Sequence, residues 1–143
     1  MATINFIVLK EEKQYTFIYC QSGAYLENVG YLLLTHYSNP EKLKELLELW
    51  DLIYLGEEIW GKQNDLKTRN KKRCLAYWRD MGHTRTEAFT DNSLEVIRKF
   101  INFFRNIFVY VYIYDLKKGK WFYFKHDNPQ LKELTLEAIQ EAS

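Results

Sequence analysis

Residues 107–114 read Ile-Phe-Val-Tyr-Val-Tyr-Ile-Tyr, aliphatic and aromatic side chains alternating without a polar break. In a strand, alternate side chains point to opposite faces. Ile107, Val109, Val111 and Ile113 therefore share one face, and Phe108, Tyr110, Tyr112 and Tyr114 the other. A strand this apolar invites aggregation at a sheet edge, so it belongs in the middle of a sheet. Gly119 marks a turn, after which Trp121 to Phe124 returns antiparallel. The use of the aromatic face depends on where the helices lie. If they cover only the aliphatic face, Tyr110, Tyr112, Trp121 and Tyr123 form an open surface for a partner, a second copy or a flat ligand such as a nucleobase. If helices cover both faces, those rings are core.

The other elements follow from periodicity and punctuation. Ile4 to Leu9 and Tyr15 to Cys20 are β-rich runs joined by the charged turn Lys10-Glu11-Glu12-Lys13, which predicts a hairpin. After Gly23, the spacing of Tyr25, Val29, Leu32, Leu33 and His36 predicts a helix over 25–37. Asn39-Pro40 opens a second helix, Asn as cap and Pro at the first helical position, with Leu43, Leu46, Leu47 and Trp50 as its stripe. Gly61 to Arg73 has no period and reads as a loop. Arg73 to Arg79 is a strand candidate, and Thr86 to Thr90 a shorter one. Asn92 with Glu95 resembles a capping box for a third helix striped by Leu94, Ile97, Phe100, Ile101 and Phe104. Asn128-Pro129 starts a last helix with Leu131, Leu134 and Ala138 on one side. The order ββααβ(β)αββα predicts an α+β fold: one domain over 1–143, a mainly antiparallel sheet of five or six strands, and helices mostly on one face.

A length of 143 residues fits one domain that needs no disulfide or metal to hold its core. The aromatic share of 17% exceeds what one small core requires, which places some rings at a surface, where Tyr, Trp and Phe favour interfaces. A net charge of +1 gives no global pull towards nucleic acid or membrane. Met1 to Leu9 reads as a strand, not a signal peptide, and no apolar run reaches the length of a membrane span. Cys20 and Cys74, without a CxxC partner, read as reduced thiols of a cytoplasmic protein.

Catalytic signals are sparse. His36, His83 and His126 lack metal-ligand spacing, there is no phosphate-binding Gly-rich loop, and no cofactor is implied. Cys20 is a nucleophile only if a base such as His36 or His83 reaches it; otherwise it is a buried thiol. Charge is divided locally. Glu41, Glu45, Glu48, Asp51, Glu57 and Glu58 face Lys42 and Lys44 alone, whereas Lys62, Lys67, Arg69, Lys71, Lys72 and Arg73 face only Asp65. The basic loop either grips phosphates or an acidic protein groove, or is a solvated counterweight to the acidic helix. Trp60, Tyr77 and Trp78 flank it in a stacking arrangement. Arg79-Asp80 is either a recognition pair or a solvated ion pair.

Several segments resemble a family of small bacteriophage and prophage proteins. The family pattern Ile-Tyr-Cys-His-x-Asp-Gly-Tyr corresponds to Ile18-Tyr19-Cys20-Gln21-Ser22-Gly23-Ala24-Tyr25, and His-Tyr to His36-Tyr37. Its Leu-Gly-Asp block corresponds to Leu49-Trp50-Asp51, running on to Leu55-Gly56, and Ala-Tyr-x-Arg-Asp-x-Gly to Ala76 through Gly82. Gln21, Gly23, Ala24 and Trp50 depart from it. The resemblance implies an accessory protein acting in the cytoplasm of a bacterial host. The expectation is a non-enzymatic counter-defence inhibitor that binds a host defence protein, as anti-CRISPR proteins do. The alternative is a module, possible as a homo-oligomer, that sequesters a nucleotide-type immune signal through Tyr25, Trp78, Arg79 and the Tyr face. Nucleic-acid binding through the basic loop and Cys or His catalysis rank lower. The candidate contact residues are Tyr25, Trp60, Lys67, Arg69, Lys71, Lys72, Arg73, Tyr77, Trp78, Arg79, Asp80, Tyr110, Tyr112 and Trp121.

Overall fold

The computed structural model describes residues 3–60, 72–84, 87–104 and 107–142. The fold is α+β, built on one mixed sheet. Strands β1 (Thr3–Glu11) and β2 (Gln14–Cys20) form the expected hairpin, with Glu11 opposite Gln14 and Glu12 left-handed at φ 50° in the turn. A π-helical turn, Leu26–Gly30, leads into α1 (Tyr31–His36), together filling the span predicted as one helix. Helix α2 (Pro40–Leu47) starts as read: the Asn39 side-chain Oδ1 accepts the Glu41 N–H at 2.8 Å, with Pro40 at the first position. Two short strands follow, β3 (Leu52–Tyr54) and β4 (Leu75–Ala76), then helix α3 (Tyr77–Met81) and strand β5 (Phe89–Asp91). Helix α4 (Glu95–Phe103), strands β6 (Phe108–Asp115), β7 (Lys120–Lys125) and β8 (Asn128–Glu133), and helix α5 (Leu136–Ala142) complete the chain.

The sheet order is β4-β3-β2-β1-β6-β7-β8, with β5 also on β2. Among the described residues it has eight strands, more than the five or six expected. Most neighbours are antiparallel, but β1 and β6 pair in parallel over Thr3 to Lys10 and Phe108 to Asp115, and β2 meets β3 in parallel at Cys20 and Leu52. The strand read as central is therefore central, flanked by β1 and β7.

Both of its faces are covered. Val109, Val111 and Ile113 pack with Ile4, Phe6, Val8 and Phe17 under Leu94, just before α4, and Ile97 of α4. Tyr112, Tyr114, Trp121 and Tyr123 pack with Ile7, Leu9 and Ile18 under α1, α2, α5 and the π-helical turn, so most helices lie on that face. The aromatic face is thus core, which withdraws Tyr112 and Trp121 from the contact candidates: they are 0% and 1% exposed. Their polar ends are satisfied inside, as buried Tyr and Trp require. Tyr112 donates its hydroxyl to the Ala24 carbonyl at 2.6 Å, and the Trp121 indole N–H donates to the Tyr37 carbonyl at 3.3 Å.

Four local expectations are corrected. The strand expected over 73–79 stops at Ala76, because the Asp80 carboxylate accepts the Ala76 N–H at 2.8 Å and nucleates α3, which Gly82 ends at φ 70°. Helix α4 begins at Glu95, not Asn92; the hydroxyl of Ser93 accepts the Glu95 N–H at 3.3 Å, so the capping box is not formed. The short strand expected over 86–90 is centred later, at Phe89–Asp91, and Thr86 lies outside the described residues. Asn128-Pro129 opens the edge strand β8 rather than a helix, since an edge tolerates the missing Pro N–H. The last helix waits for Thr135, whose hydroxyl accepts the Ala138 N–H at 3.1 Å.

Tyr112 tests the two-sided core. Tyr112→Ala should lower unfolding free energy by roughly 3–5 kcal/mol, and Tyr112→Phe by about 1–3 kcal/mol through the lost buried hydrogen bond. Urea denaturation measures both. A Tyr112→Ala value within about 0.5 kcal/mol of wild type, as at a surface position, would place the aromatic face outside the core.

Candidate functional site: an aromatic groove at the forked edge of the sheet

Strand β2 has β1 along one side, but its other side is divided. Strand β5 pairs with Tyr15, Thr16 and Phe17, and β3 meets only Cys20. The Tyr19 N–H falls in the gap between them, and Asp51 Oδ1 accepts it at 2.8 Å. A side chain here takes the place of a strand. Burial pushes the Asp51 carboxyl up to about 6, against the opposing pull of the Tyr19 N–H. Trp50 immediately before it is left-handed at φ 65°, a conformation that costs a bulky residue energy and that Gly adopts freely. The Asp51 carbonyl accepts the Tyr77 N–H at 3.2 Å, which ties the first residue of α3 to the fork. The Tyr77 hydroxyl donates to Gln21, and its ring stacks on His83 at 5.5 Å.

Helix α3 is held by a compact ion cluster. Asp80, with a side chain only 5% exposed, receives Arg73 at 3.0 Å and Arg79 at 3.2 Å. Burial alone would raise its carboxyl, but the Ala76 N–H and the two guanidiniums outweigh it and hold it below the usual carboxylate range. Arg79 also donates to the carbonyls of Ile59 at 2.5 Å and Cys74 at 2.7 Å. Its guanidinium lies 5.3 Å from the Trp60 ring centroid. The backbone beneath is close-packed. A Cβ on Gly56 would sit 2.5 Å from the Lys72 carbonyl oxygen, where Glu58 and Arg73 bridge in parallel.

These contacts raise two tryptophans onto the surface. Trp60 is 60% exposed, with its indole N–H donated to Glu45; Trp78 is 45% exposed, with its ring 5.5 Å from Trp50. Between them runs an open groove of about 610 Å³ lined by Glu48, Leu49, Trp60, Trp78, Arg79 and Gly82. The structure thus brings together Trp60, Arg73, Tyr77, Trp78, Arg79 and Asp80 from the sequence-derived candidates. Lys72 is exposed on the neighbouring segment. Tyr25 and Tyr110 are elsewhere, in edge-to-face contact at 5.8 Å and separated from β3 by β2 and β1. Lys67, Arg69 and Lys71 lie outside the described residues. Asp51 and Trp50 were not among the candidates. Asp51 is the only charged residue between Leu49 and Leu55, and that interruption of an apolar run was the available signal.

Arg79 and Asp80 form a part-buried pair, their side chains 16% and 5% exposed. Cys20 is also an interior residue: it is fully buried, burial pushes its thiol up to about 12, and it donates weakly to the Ser22 carbonyl at 3.6 Å. Neither thiol hydrogen-bonds to a histidine among the described residues, since Cys74 contacts Tyr37 and Gly56. Among the described residues no group of three or more His, Cys, Asp or Glu could hold a metal ion, and no helix is long and apolar enough to cross a membrane.

Comparison with protein-family models, with curated proteins and with solved structures finds no match to the chain. What fold and site define by themselves is an α+β protein that presents a preorganised aromatic groove at a sheet edge.

Two carboxylates should behave oppositely. Asp80→Ala leaves Arg73 and Arg79 without their shared counter-ion and should cost roughly 3–5 kcal/mol in urea denaturation; a near-neutral result would mean that solvent screens the cluster. The folded-state value of Asp51 lies above that of the unfolded chain. The folded protein therefore binds more protons between about pH 4 and 6, and this group's contribution to stability grows as pH falls through that window. Asp51→Asn keeps the acceptor for Tyr19 and should flatten that part of the melting temperature–pH profile. An unchanged profile would show that Asp51 does not titrate there.

Proposed function

We propose that the chain is a non-enzymatic binding protein that docks on a protein partner through the Trp60–Trp78 groove. The observation that carries this reading is the preorganisation of the two tryptophans. Trp60 is clamped by Arg79 and Glu45, and Trp78 rests on Trp50, yet both remain substantially exposed. Rigid exposed Trp beside Arg is the composition of interface hot spots, and fixing the rings beforehand lowers the ordering cost of binding. The burial of Cys20 and its raised pKa favour a binding role over thiol catalysis.

The motif resemblance to phage and prophage proteins supplies the context. In this reading the protein is a counter-defence inhibitor acting in the bacterial host cytoplasm, and its partner is a host immune protein. Free, buried Cys20 and Cys74 suit a reducing compartment. Sequestration of a nucleotide signal draws less support. The Arg79 donors are already directed at Ile59, Cys74 and Asp80, and Tyr112 is closed inside the core.

The test is native mass spectrometry of tagged protein drawn from host lysate, comparing wild type with Trp60→Ala and Trp78→Ala. Wild type should retain a stoichiometric protein subunit. Each variant should keep its melting temperature and lose the subunit, since a hot-spot truncation of about 2 kcal/mol weakens binding roughly thirtyfold. Equal retention by both variants would exclude the groove, and a mass increment of only a few hundred daltons would instead favour a nucleotide ligand.

A further inference from the structure

On the face of the sheet that α4 covers, three cations from three elements line one recess of about 160 Å³. They are Lys10 near the end of β1, Arg98 on α4 and Lys118 in the turn between β6 and β7. Asp115 is the one carboxylate in the lining, and it is committed to that turn. Its Oδ1 accepts the N–H groups of Lys117 at 3.1 Å and Lys118 at 3.2 Å, and its Oδ2 lies 3.7 Å from the Lys10 ammonium. Three cations against one carboxylate leave two positive charges in excess. Neighbouring acids do not cancel them. Glu11 pairs with Lys44 at 3.9 Å, Glu133 with Lys120 at 3.3 Å, and the Asp91 carboxylate accepts the Asn92 N–H at 2.7 Å. Glu12 and Glu95 stand outside the lining, as do Lys13, Lys99 and Lys117, and neither glutamate pairs with Arg98 or Lys118 among the described residues.

Arg98 differs from the other described arginines. Arg73 and Arg79 share Asp80, whereas the Arg98 guanidinium has neither a carboxylate nor a carbonyl partner among the described residues and lies 5.3 Å from the Phe124 ring centroid. The Lys118 ammonium, likewise without an ion pair there, lies 5.2 Å from the Phe122 ring centroid. Both side chains are exposed, so each is steadied on a ring while its donors stay open. Buried Leu94 and exposed Leu131 add apolar wall. A guanidinium fork flanked by two ammoniums suits an anion with several acceptor oxygens. A phosphate monoester supplies three, with a charge of about −1.5 to −2 that matches the excess. The recess is smaller than the roughly 300–1,000 Å³ of a drug-sized ligand's pocket, which limits the rest of the ligand to a compact apolar body. We infer that this recess binds a small phosphate monoester, its phosphate held by Arg98, Lys118 and Lys10 and its apolar body against Leu94 and Leu131. The site shares no residue with the Trp60–Trp78 groove and stands independently of the docking role.

The test is isothermal titration calorimetry of the full chain with phenyl phosphate, benzoate and benzyl alcohol at about pH 7.5, where the monoester is a dianion. Phenyl phosphate should bind saturably at one site per chain, benzoate more weakly and benzyl alcohol not at all. Arg98→Gln and Lys118→Gln should each weaken phenyl phosphate roughly tenfold, the worth of one hydrogen bond to a charged group. Both are changes at exposed positions and should leave the melting temperature near that of wild type. Lys117→Gln alters the adjoining turn outside the recess and should change affinity by less than about twofold, as for a solvent-screened charge. Absence of phenyl phosphate binding, or full affinity in both Arg98→Gln and Lys118→Gln, would overturn the inference. An equal loss in Lys117→Gln would replace the site by a diffuse surface charge. Benzoate binding as tightly as phenyl phosphate would overturn the phosphate assignment, and benzyl alcohol binding as tightly would overturn the anion site.

Discussion

Every strand of the sheet is attached, directly or through its neighbours, to the parallel pairing of β1 with β6. Eight consecutive residue pairs run from Thr3 opposite Phe108 to Lys10 opposite Asp115. That pairing joins segments far apart in the chain, so its closure entropy is met only when a large apolar area is covered at once. The area is available because both strands are apolar on both faces. Ile7 and Leu9 sit with Tyr112 and Tyr114 beneath α1 and α2, and Ile4, Phe6 and Val8 with Val109, Val111 and Ile113 beneath α4. The hairpins β1–β2 and β6–β7 are carried on this centre, and the short strands β3, β4, β5 and β8 on the hairpins.

Because the centre is covered twice, the aromatic residues divide into two populations with different physics. Rings on the β6–β7 face have buried polar ends bonded to main-chain carbonyls, which fixes the helices at set points of the sheet: Tyr112 on Ala24, Trp121 on Tyr37 and Tyr114 on Ser38. The tryptophans at the β3–β4 edge do the opposite. There the strands are short, and although Leu52, Leu55, Cys74 and Ala76 join the core, ion pairing organises the backbone outside it. Asp80 folds α3 by accepting the Ala76 N–H and gathering Arg73 and Arg79, and Arg79 in turn holds Trp60. Exposure at this edge therefore follows from a part-buried ionic cluster beneath it. The proposed binding role depends on the rigidity that follows.

Asp51 links the two regions. Its carboxylate closes the gap in β2 while its carbonyl receives the N–H of Tyr77 at the start of α3. The left-handed backbone at Trp50 turns the chain from α2 into that gap and sets Trp50 against Trp78. Trp50 thus sits where the backbone favours Gly and where its ring supports the groove.

The sequence by itself determined what short range and periodicity encode. The alternation from Ile107 to Tyr114 required a central strand, the charged turn after Leu9 a hairpin, and Asn39-Pro40 a helix start, because each rests on bonds within a few residues. The mixed character of the sheet, the covering of the aromatic face, and the strands β3 and β8 were decided by tertiary structure. Leu52–Tyr54 is stabilised by residues distant in the chain, and Asn-Pro serves an edge strand as well as a helix start. Trp60, Trp78 and Arg79 were legible as residues suited to recognition. Their convergence on one groove, and the inward direction of the Arg79 donors, required the segment around Gly56 to pack on that around Arg73 and Asp80 to be buried between two guanidiniums. Hydrogen-bond saturation and burial are properties of the packed chain, and no local spacing encodes them.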